Sequence, residues 1–266
     1  MRPRQEFFGE YLKYTSVAHA LWRCYECERF SREKLKPPVL DLGCGDGFFA
    51  QMVFGHLDAG IDLNEGEVER AKKRGTYDQA LVASATKMPF KSGSFNTVIS
   101  NCVIEHIPDS DGVLSEVYRV LKPGGRFLTT VPSEYWDNDS FYQKIFKAVG
   151  FNQAAQWYNR VLNKVSAHYH VDDWKTWEGR MKKAGLKLEV KEYLIPIRTF
   201  YAFERWFLPA IPSKINKALF KRWVLLPRFW APGFFNWWFK DLLKAEDKIG
   251  AGYYLAARKP GKGSKS

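Results

Sequence analysis

Cysteine is scarce in this chain, with four in 266 residues, and two of them stand in one isolated pair, Cys24-Tyr25-Glu26-Cys27. A structural zinc site needs a second pair of ligands that the sequence does not supply, so no metal is expected. Nothing at the start reads as a secretory signal, because Met1-Arg2-Pro3-Arg4 runs into mixed polar sequence. No stretch reaches the length of a membrane-spanning helix without a charge or a proline. With so few thiols, the reducing cytoplasm is the expected compartment. A Ser–His–Asp nucleophile pattern is missing, and no internal repeat is evident. Acidic residues are also in deficit, 29 against 41 lysines and arginines, for a net charge of +12. The excess is spread along the chain and favours an anionic partner: nucleic acid, an acidic membrane surface or a phosphorylated substrate.

What is present is concentrated in one stretch. Val39-Leu40-Asp41-Leu42 reads as a short buried strand that stops in the turn Gly43-Cys44-Gly45-Asp46-Gly47, and Phe48 to Val53 then opens a helix. Glycines are needed where a backbone turns sharply and a ligand must approach it closely. About twenty residues on, Ala59-Gly60-Ile61-Asp62 ends the next strand in a carboxylate, the position of ribose-binding acids in nucleotide folds.

Five stretches carry a family resemblance. They are Val39 to Ala50, Gly60 to Asp62, Met88-Pro89-Phe90 with Ser94-Phe95-Asn96, Val103-Ile104-Glu105-His106-Ile107, and Arg119 to Arg126. In this order and spacing they resemble the motifs of class I S-adenosylmethionine-dependent methyltransferases, in the broad group that includes small-molecule and quinone-type enzymes. The match runs from about Pro37 to Val131 and is nearly silent on the acceptor.

The rest of the chain fits an α/β fold. Residues 5–35 read as helix, ended by Pro37-Pro38. Strands follow at 39–42, 58–62, 81–83 and 97–100, with helices over 47–54 and 65–74, the latter closed by Gly75. Val113, Leu114, Val117, Val120 and Leu121 share a helical face, and Pro123-Gly124-Gly125 leads into a strand over 126–131. Asp172 or Asp173 can cap a helix reaching Ala184, with a strand over 186–195 and a last strand from Gly252 to Arg258. Such alternation predicts a doubly wound, mostly parallel sheet. The resemblance makes it Rossmann-like and seven-stranded, with an antiparallel last strand and helical cap insertions. The expected organisation is an N-terminal helical segment (1–38), a cofactor-binding core (39–132), a first insertion (133–171), a core continuation (172–196), an aromatic and basic insertion (197–248), the last strand (249–259) and a disordered tail (260–266).

The resemblance also implies roles. The cofactor is S-adenosylmethionine. The amides around Gly43, Cys44 and Gly45 would face its methionine part, Asp41 would support the turn, Asp62 would accept both ribose hydroxyls and Leu63 would pack beside adenine. Ser84 and Ala85 stand where relatives usually carry Asp, so Ser84 would bond adenine more weakly. Asn96 likewise replaces the usual Asp at the start of the fourth strand. Asn101 and Cys102 would lie near the transferred methyl, with Cys102, Glu134 and Tyr135 lining the acceptor pocket. Candidate bases are His106, His168 and His170, each with a purely structural alternative.

The insertion over 197–248 holds five of the ten tryptophans. Between Ser213 and Pro227, Ile215, Ala218, Leu219, Trp223 and Leu226 share one helical face, while Lys214, Lys217 and Lys221 share another. That segregation suits an anionic membrane interface, or else a plain helical cap. The sequence thus points to methyl transfer, at oxygen or carbon, to a small or lipid-linked acceptor. Nucleic-acid methylation is disfavoured because Ser100-Asn101-Cys102-Val103 lacks the Asn/Asp-Pro-Pro-aromatic pattern of base-amine enzymes. A non-catalytic binding protein on the same fold is the third reading.

Overall fold

A computed structural model describes residues 2–207 and 231–261 of the chain. The segment proposed to run from Ser213 to Pro227, and the tail from residue 262, lie outside them. By internal contacts the chain divides into two units. One is drawn from Met1–Arg32, Tyr135–Ser166 and Tyr193–Gly252; the other comprises Glu33–Glu134, Ala167–Glu192 and Tyr253–Ser266.

The second unit holds the nucleotide-type core: β1 (Val39–Leu42), α1 (Phe48–Phe54), β2 (Leu57–Asp62), α2 (Glu65–Arg74), β3 (Tyr77–Val82), β4 (Phe95–Asn101), α3 (Ser110–Val120), β5 (Leu121–Pro132) and α4 (Trp174–Lys183). With β6 (Lys187–Pro196) and β7 (Gly250–Arg258), the strands form one sheet in the order β3-β2-β1-β4-β5-β7-β6. β1 pairs in parallel with β2 and β4, Leu40 lying beside Ala59 on one side and Val98 on the other. All four β1 residues are buried, as a central parallel strand covered on both faces requires. The end of β7 lies beside the start of β5, with Gly124 N–H donating to Lys259 O and Lys259 N–H to Gly125 O, both at 2.9 Å. That pairing makes β7 antiparallel. The strand order reverses between β1 and β4, and in open α/β sheets ligands bind outside the carboxyl ends of the strands at such a switch point.

Several boundaries differ from the sequence expectation. β3 begins at Tyr77 rather than Leu81, and β5 spans Leu121–Pro132 rather than 126–131. Ladder pairing uses backbone groups, so polar residues such as Asp78 and Gln79 join a strand that apolar periodicity does not mark. Between the two candidate caps before α4, Asp173 is the one used; its Oδ1 accepts from Thr176 N–H at 2.8 Å, and Gly185 follows the helix with φ +87°.

The first unit is helical: α5 (Arg4–Tyr14), α6 (Val17–Ser31), α7 (Tyr135–Asn138), α8 (Phe141–Ala148), α9 (Asn152–Ser166), α10 (Ile197–Phe207) and α11 (Ala231–Trp238). The single N-terminal helix expected over 5–35 is two helices. Ser16 takes an extended conformation and its side chain accepts from His19 N–H, capping a fresh helix start where apolar spacing alone continues unbroken. The core of this unit gathers Trp22, Trp136, Phe200 and Phe203, with Trp22 and Trp136 edge to face at 5.2 Å. Cys24 and Cys27 are both buried in α6, where burial raises both thiols well above their ordinary range, so they serve as packing groups. Glu204 of α10 is buried and accepts from Ser140 Oγ, Phe141 N–H and Tyr158 Oη at 2.6, 2.6 and 2.9 Å. Those bonds tie α8 and α9 to α10.

Candidate functional site

The turn between β1 and α1 is built by three glycines with positive φ: Gly43 (+76°), Gly45 (+52°) and Gly47 (+77°). A Cβ on Gly43 would stand 2.4 Å from Val103 Cγ2, so Val103 closes the floor of the turn. Over Gly45 the opposite holds: a Cβ there would meet no atom within 4 Å. That open ground is the cradle. Asp46 braces the far side, its Oδ1 accepting from Phe48 N–H at 3.1 Å and its Oδ2 from Arg74 Nη2 at 2.9 Å.

The loop amides also serve the fold itself: those of Gly43 and Cys44 donate to Ile61 O at 2.8 and 2.9 Å. The Gly45 amide donates to Asp62 Oδ2 at 3.0 Å. Buried backbone donors are satisfied wherever a partner is near, and the adjoining strand β2 supplies one. What the turn offers a ligand is close approach.

Asp62 sits at the end of β2, half-buried. Its Oδ1 also accepts, from Asn64 N–H at 2.8 Å. Each carboxylate oxygen has a second lone pair left over, the arrangement that a vicinal diol requires. Leu63, directly after it, is 75 % exposed, and Val82, at the end of β3, is 50 % exposed. Two aliphatic side chains held in solvent beside a ribose-type carboxylate suit a flat apolar ring.

Under the turn lies Asp41, 2 % exposed, accepting from Tyr77 Oη at 2.7 Å. Burial raises its carboxyl to about 7, opposed by the Tyr77 hydrogen bond and assisted by the charge of Asp62. Its ionisation therefore costs the fold stability. The contribution is fully present below the ordinary carboxylate range near pH 4 and is lost as pH rises to about 7. Asp41→Asn keeps the acceptor for Tyr77 and removes the charge. In denaturant unfolding of the ligand-free protein, the variant should gain on wild type steadily from pH 4 to pH 7 and hold that gain above it. Parallel stability curves would contradict the assignment.

At the end of β4, Thr130 Oγ1 donates to Asn101 Oδ1 at 2.7 Å, and Cys102 N–H donates to Thr130 Oγ1 at 3.1 Å. Cys102 has φ +52°, a left-handed conformation that costs about 1–3 kcal/mol for a side chain other than glycine and clusters at functional positions. Ser84 is engaged locally, bonding Thr86 Oγ1 at 2.9 Å and accepting from Thr86 N–H; Ala85 beside it is half-buried. Asn96 lies at the opposite end of β4, where its Nδ2 donates to Pro37 O. That substitution therefore lies at the other end of the strand from Asn101.

The histidines fall into two groups. His106 and His168 stack, with ring centroids 5.1 Å apart and 27° between planes. His106 Nδ1 lies 3.1 Å from Ala167 O, and its Nε2 lies 3.7 Å from a Glu105 carboxylate oxygen. Glu105, His106 and His168 bring possible ligand atoms within 4.8 Å of one another, a grouping that the sequence reading did not single out. Burial, then the neighbouring His106, holds His168 down at about 3, so this ring is neutral near pH 7. His170 is used on both sides: Nε2 reaches Ile107 O and Pro108 O, and Nδ1 reaches Arg180 Nη1 at 3.0 Å. Glu134 accepts from Tyr253 Oη at 2.5 Å. Tyr135 belongs to the helical unit, packing edge to face on Tyr193. Sequence reading gave no site role to Tyr77 or Val82 and took Val103 only as part of a motif; the roles of Tyr77 and Val103 rest on contacts with distant segments.

Residues 40–129 match a family model described as a methyltransferase domain, from β1 to within β5. These residues form a methyltransferase domain of the class I S-adenosylmethionine-dependent kind. The chain is 31 % identical over 178 residues to squalene methyltransferase 1 of Botryococcus braunii, covering 62 % of this chain and 44 % of that one. It is 37 % identical to the ubiquinone/menaquinone biosynthesis C-methyltransferase of Desulfotalea psychrophila, over 36 % of this chain and 43 % of the other. It thus spans less than half the length of these curated relatives. The fold resembles a solved S-adenosylmethionine-dependent methyltransferase of Thermotoga maritima, with TM-score 0.57 and 17 % identity over 96 % of this chain and 97 % of that one. S-adenosylmethionine is the cofactor of the family, and the open cradle at Gly45, the two-oxygen acceptor at Asp62 and the exposed Leu63 and Val82 fit it.

Proposed function

We propose that this methyltransferase moves the methyl group of S-adenosylmethionine to carbon or oxygen of a small apolar or lipid-linked acceptor, in the cytoplasm and peripheral at a membrane surface. The observation that carries the methyl-transfer reading is the pairing of the Gly45 cradle with the Asp62 carboxylate at the sheet's switch point. When bound, the cofactor supplies a methyl carbon on a cationic sulfur; an acceptor atom bonds to it while the electron pair of the broken C–S bond stays on sulfur. The residues of the chain would position rather than react. Asp62 and Leu63 would orient the nucleoside, and Asn101 and Cys102 would border the methyl. Such positioning can supply about 7–11 kcal/mol. Cys102 and Glu134 would meet the acceptor. His106, with Nε2 3.7 Å from a Glu105 carboxylate oxygen, would take the proton that the acceptor loses.

Relatives named for squalene, sterol and quinone methylation support an apolar acceptor. The net charge of +12 and the exposed Phe234, Trp237 and Trp238 on one face of α11 support a membrane surface. The test supplies methyl-labelled S-adenosylmethionine with squalene, a sterol, a prenylated quinol and RNA, the lipids in detergent micelles. Label should pass to an organic-extractable product. Label in RNA would overturn the acceptor class, and tight cofactor binding without any turnover would make the protein a binding module.

A further inference from the structure

The segment 141–166, which forms α8, its turn and α9, contains four basic residues, Lys144, Lys147, Arg160 and Lys164, and no Asp or Glu in 26 positions. Its inner side is held within the helical unit. Phe141 N–H and Tyr158 Oη bond Glu204, Trp136 Nε1 donates to Asn163 Oδ1 at 2.9 Å, and Ala155 and Leu162 are buried. Its outer side is apolar. At the turn Val149 and Phe151 are 59 % and 63 % exposed, flanking Gly150 with φ +82°. Behind them Ile145 on α8 and Trp157 on α9 are 44 % and 58 % exposed. Along α9, Trp157, Arg160, Val161 and Lys164 fall at i, i+3, i+4 and i+7, so apolar and basic groups share one outward face. Lys144 is spent on an ion pair with Asp139, which leaves Lys147, Arg160 and Lys164, all exposed, as the outward charge.

An exposed apolar tip with Lys147 beside it, continued along α9 by an outward face that carries Trp157, Val161, Arg160 and Lys164 and no carboxylate, matches the acyl boundary and headgroups of an anionic bilayer together. The exposed aromatic face of α11 lacks that electrostatic match, since Asp241, Glu246 and Asp247 are interspersed with Lys240, Lys244 and Lys248 just after it. We infer that the α8–α9 hairpin is the element that docks this protein on anionic membranes, with Val149 and Phe151 entering the headgroup layer and Lys147, Arg160 and Lys164 facing lipid phosphates. This rests on the membrane part of the proposed function, narrowed to a named surface.

The experiment is co-sedimentation of the full chain with vesicles of phosphatidylcholine alone or with one-third phosphatidylglycerol. Wild type should sediment only with the anionic vesicles, and added salt should weaken the binding. K147E/R160E/K164E should bind on the order of 100-fold more weakly, and V149S/F151S should also be released. Both variants should keep wild-type affinity for S-adenosylhomocysteine, which shows that they fold. Unchanged vesicle binding by both variants would overturn the hairpin assignment; if F234S/W237S/W238S alone were released, the membrane reading would survive with α11 as its contact. No sedimentation of wild type would overturn both the hairpin and the membrane reading, leaving methyl transfer in micelles to be judged separately. A dimer dissociated by the hairpin variants, or RNA binding lost in them without lipid binding, would likewise overturn it in favour of that partner.

Discussion

Asp62→Ala is expected to weaken binding of S-adenosylhomocysteine at least about 100-fold, measured by calorimetry. The carboxylate would meet two ribose hydroxyls, and each charge-assisted hydrogen bond is worth about 1.5–3 kcal/mol. It also holds the cofactor turn from below, because Oδ2 accepts from Gly45 N–H at 3.0 Å and Oδ1 from Asn64 N–H at 2.8 Å. Alanine therefore removes the ligand's acceptor and leaves a loop amide unpaired. Asp62→Asn keeps one acceptor oxygen and should lose only part of the affinity. An alanine variant within threefold of wild type would mean that the cofactor is not held at this strand end.

Gly43→Ala and Gly45→Ala should separate stability from binding, although both replace a glycine of positive φ in one turn. At Gly43 an added methyl would overlap Val103 Cγ2 and Cγ1, at 2.4 and 2.5 Å. Relief would require moving Val103, which adjoins Cys102 in its own left-handed conformation. Overpacking of this kind costs about 1–3 kcal/mol, added to about 1–2 kcal/mol for the left-handed backbone. Gly43→Ala should therefore lower the melting temperature of the ligand-free protein sharply, and Val103→Ala in the same chain should recover the overlap part alone. At Gly45 no atom lies within 4 Å of the added methyl, so only the backbone cost remains and the melting temperature should fall slightly. Yet this methyl occupies the cradle, and S-adenosylhomocysteine should lose most of its stabilising shift. Equal behaviour of the two variants in melts with and without ligand would refute the cradle.

Other contrasts show how far local signals reach. The start of α6 at Ser16 is written in the chain as a serine before an apolar run, yet the apolar spacing of α5 continues across it and masks the break. The exposed side of the α8–α9 hairpin was likewise invisible. Only the packing of Ala155 and Leu162 shows which side of α9 faces inward, and it leaves Trp157 exposed.

The sequence by itself determined the alternation of strands and helices, the glycine turn after β1, the carboxylate ending β2 and the excess of positive charge. Each is a short-range property, set by backbone freedom, side-chain period or composition within a few residues. Only the tertiary structure decided that Val103 floors the turn, that Tyr77 bonds a buried Asp41, that the Gly43 and Cys44 amides turn to Ile61, and that His106 stacks on His168. Those outcomes depend on which distant segments close-pack and on where each buried donor finds an acceptor, and no window of neighbouring residues contains that information.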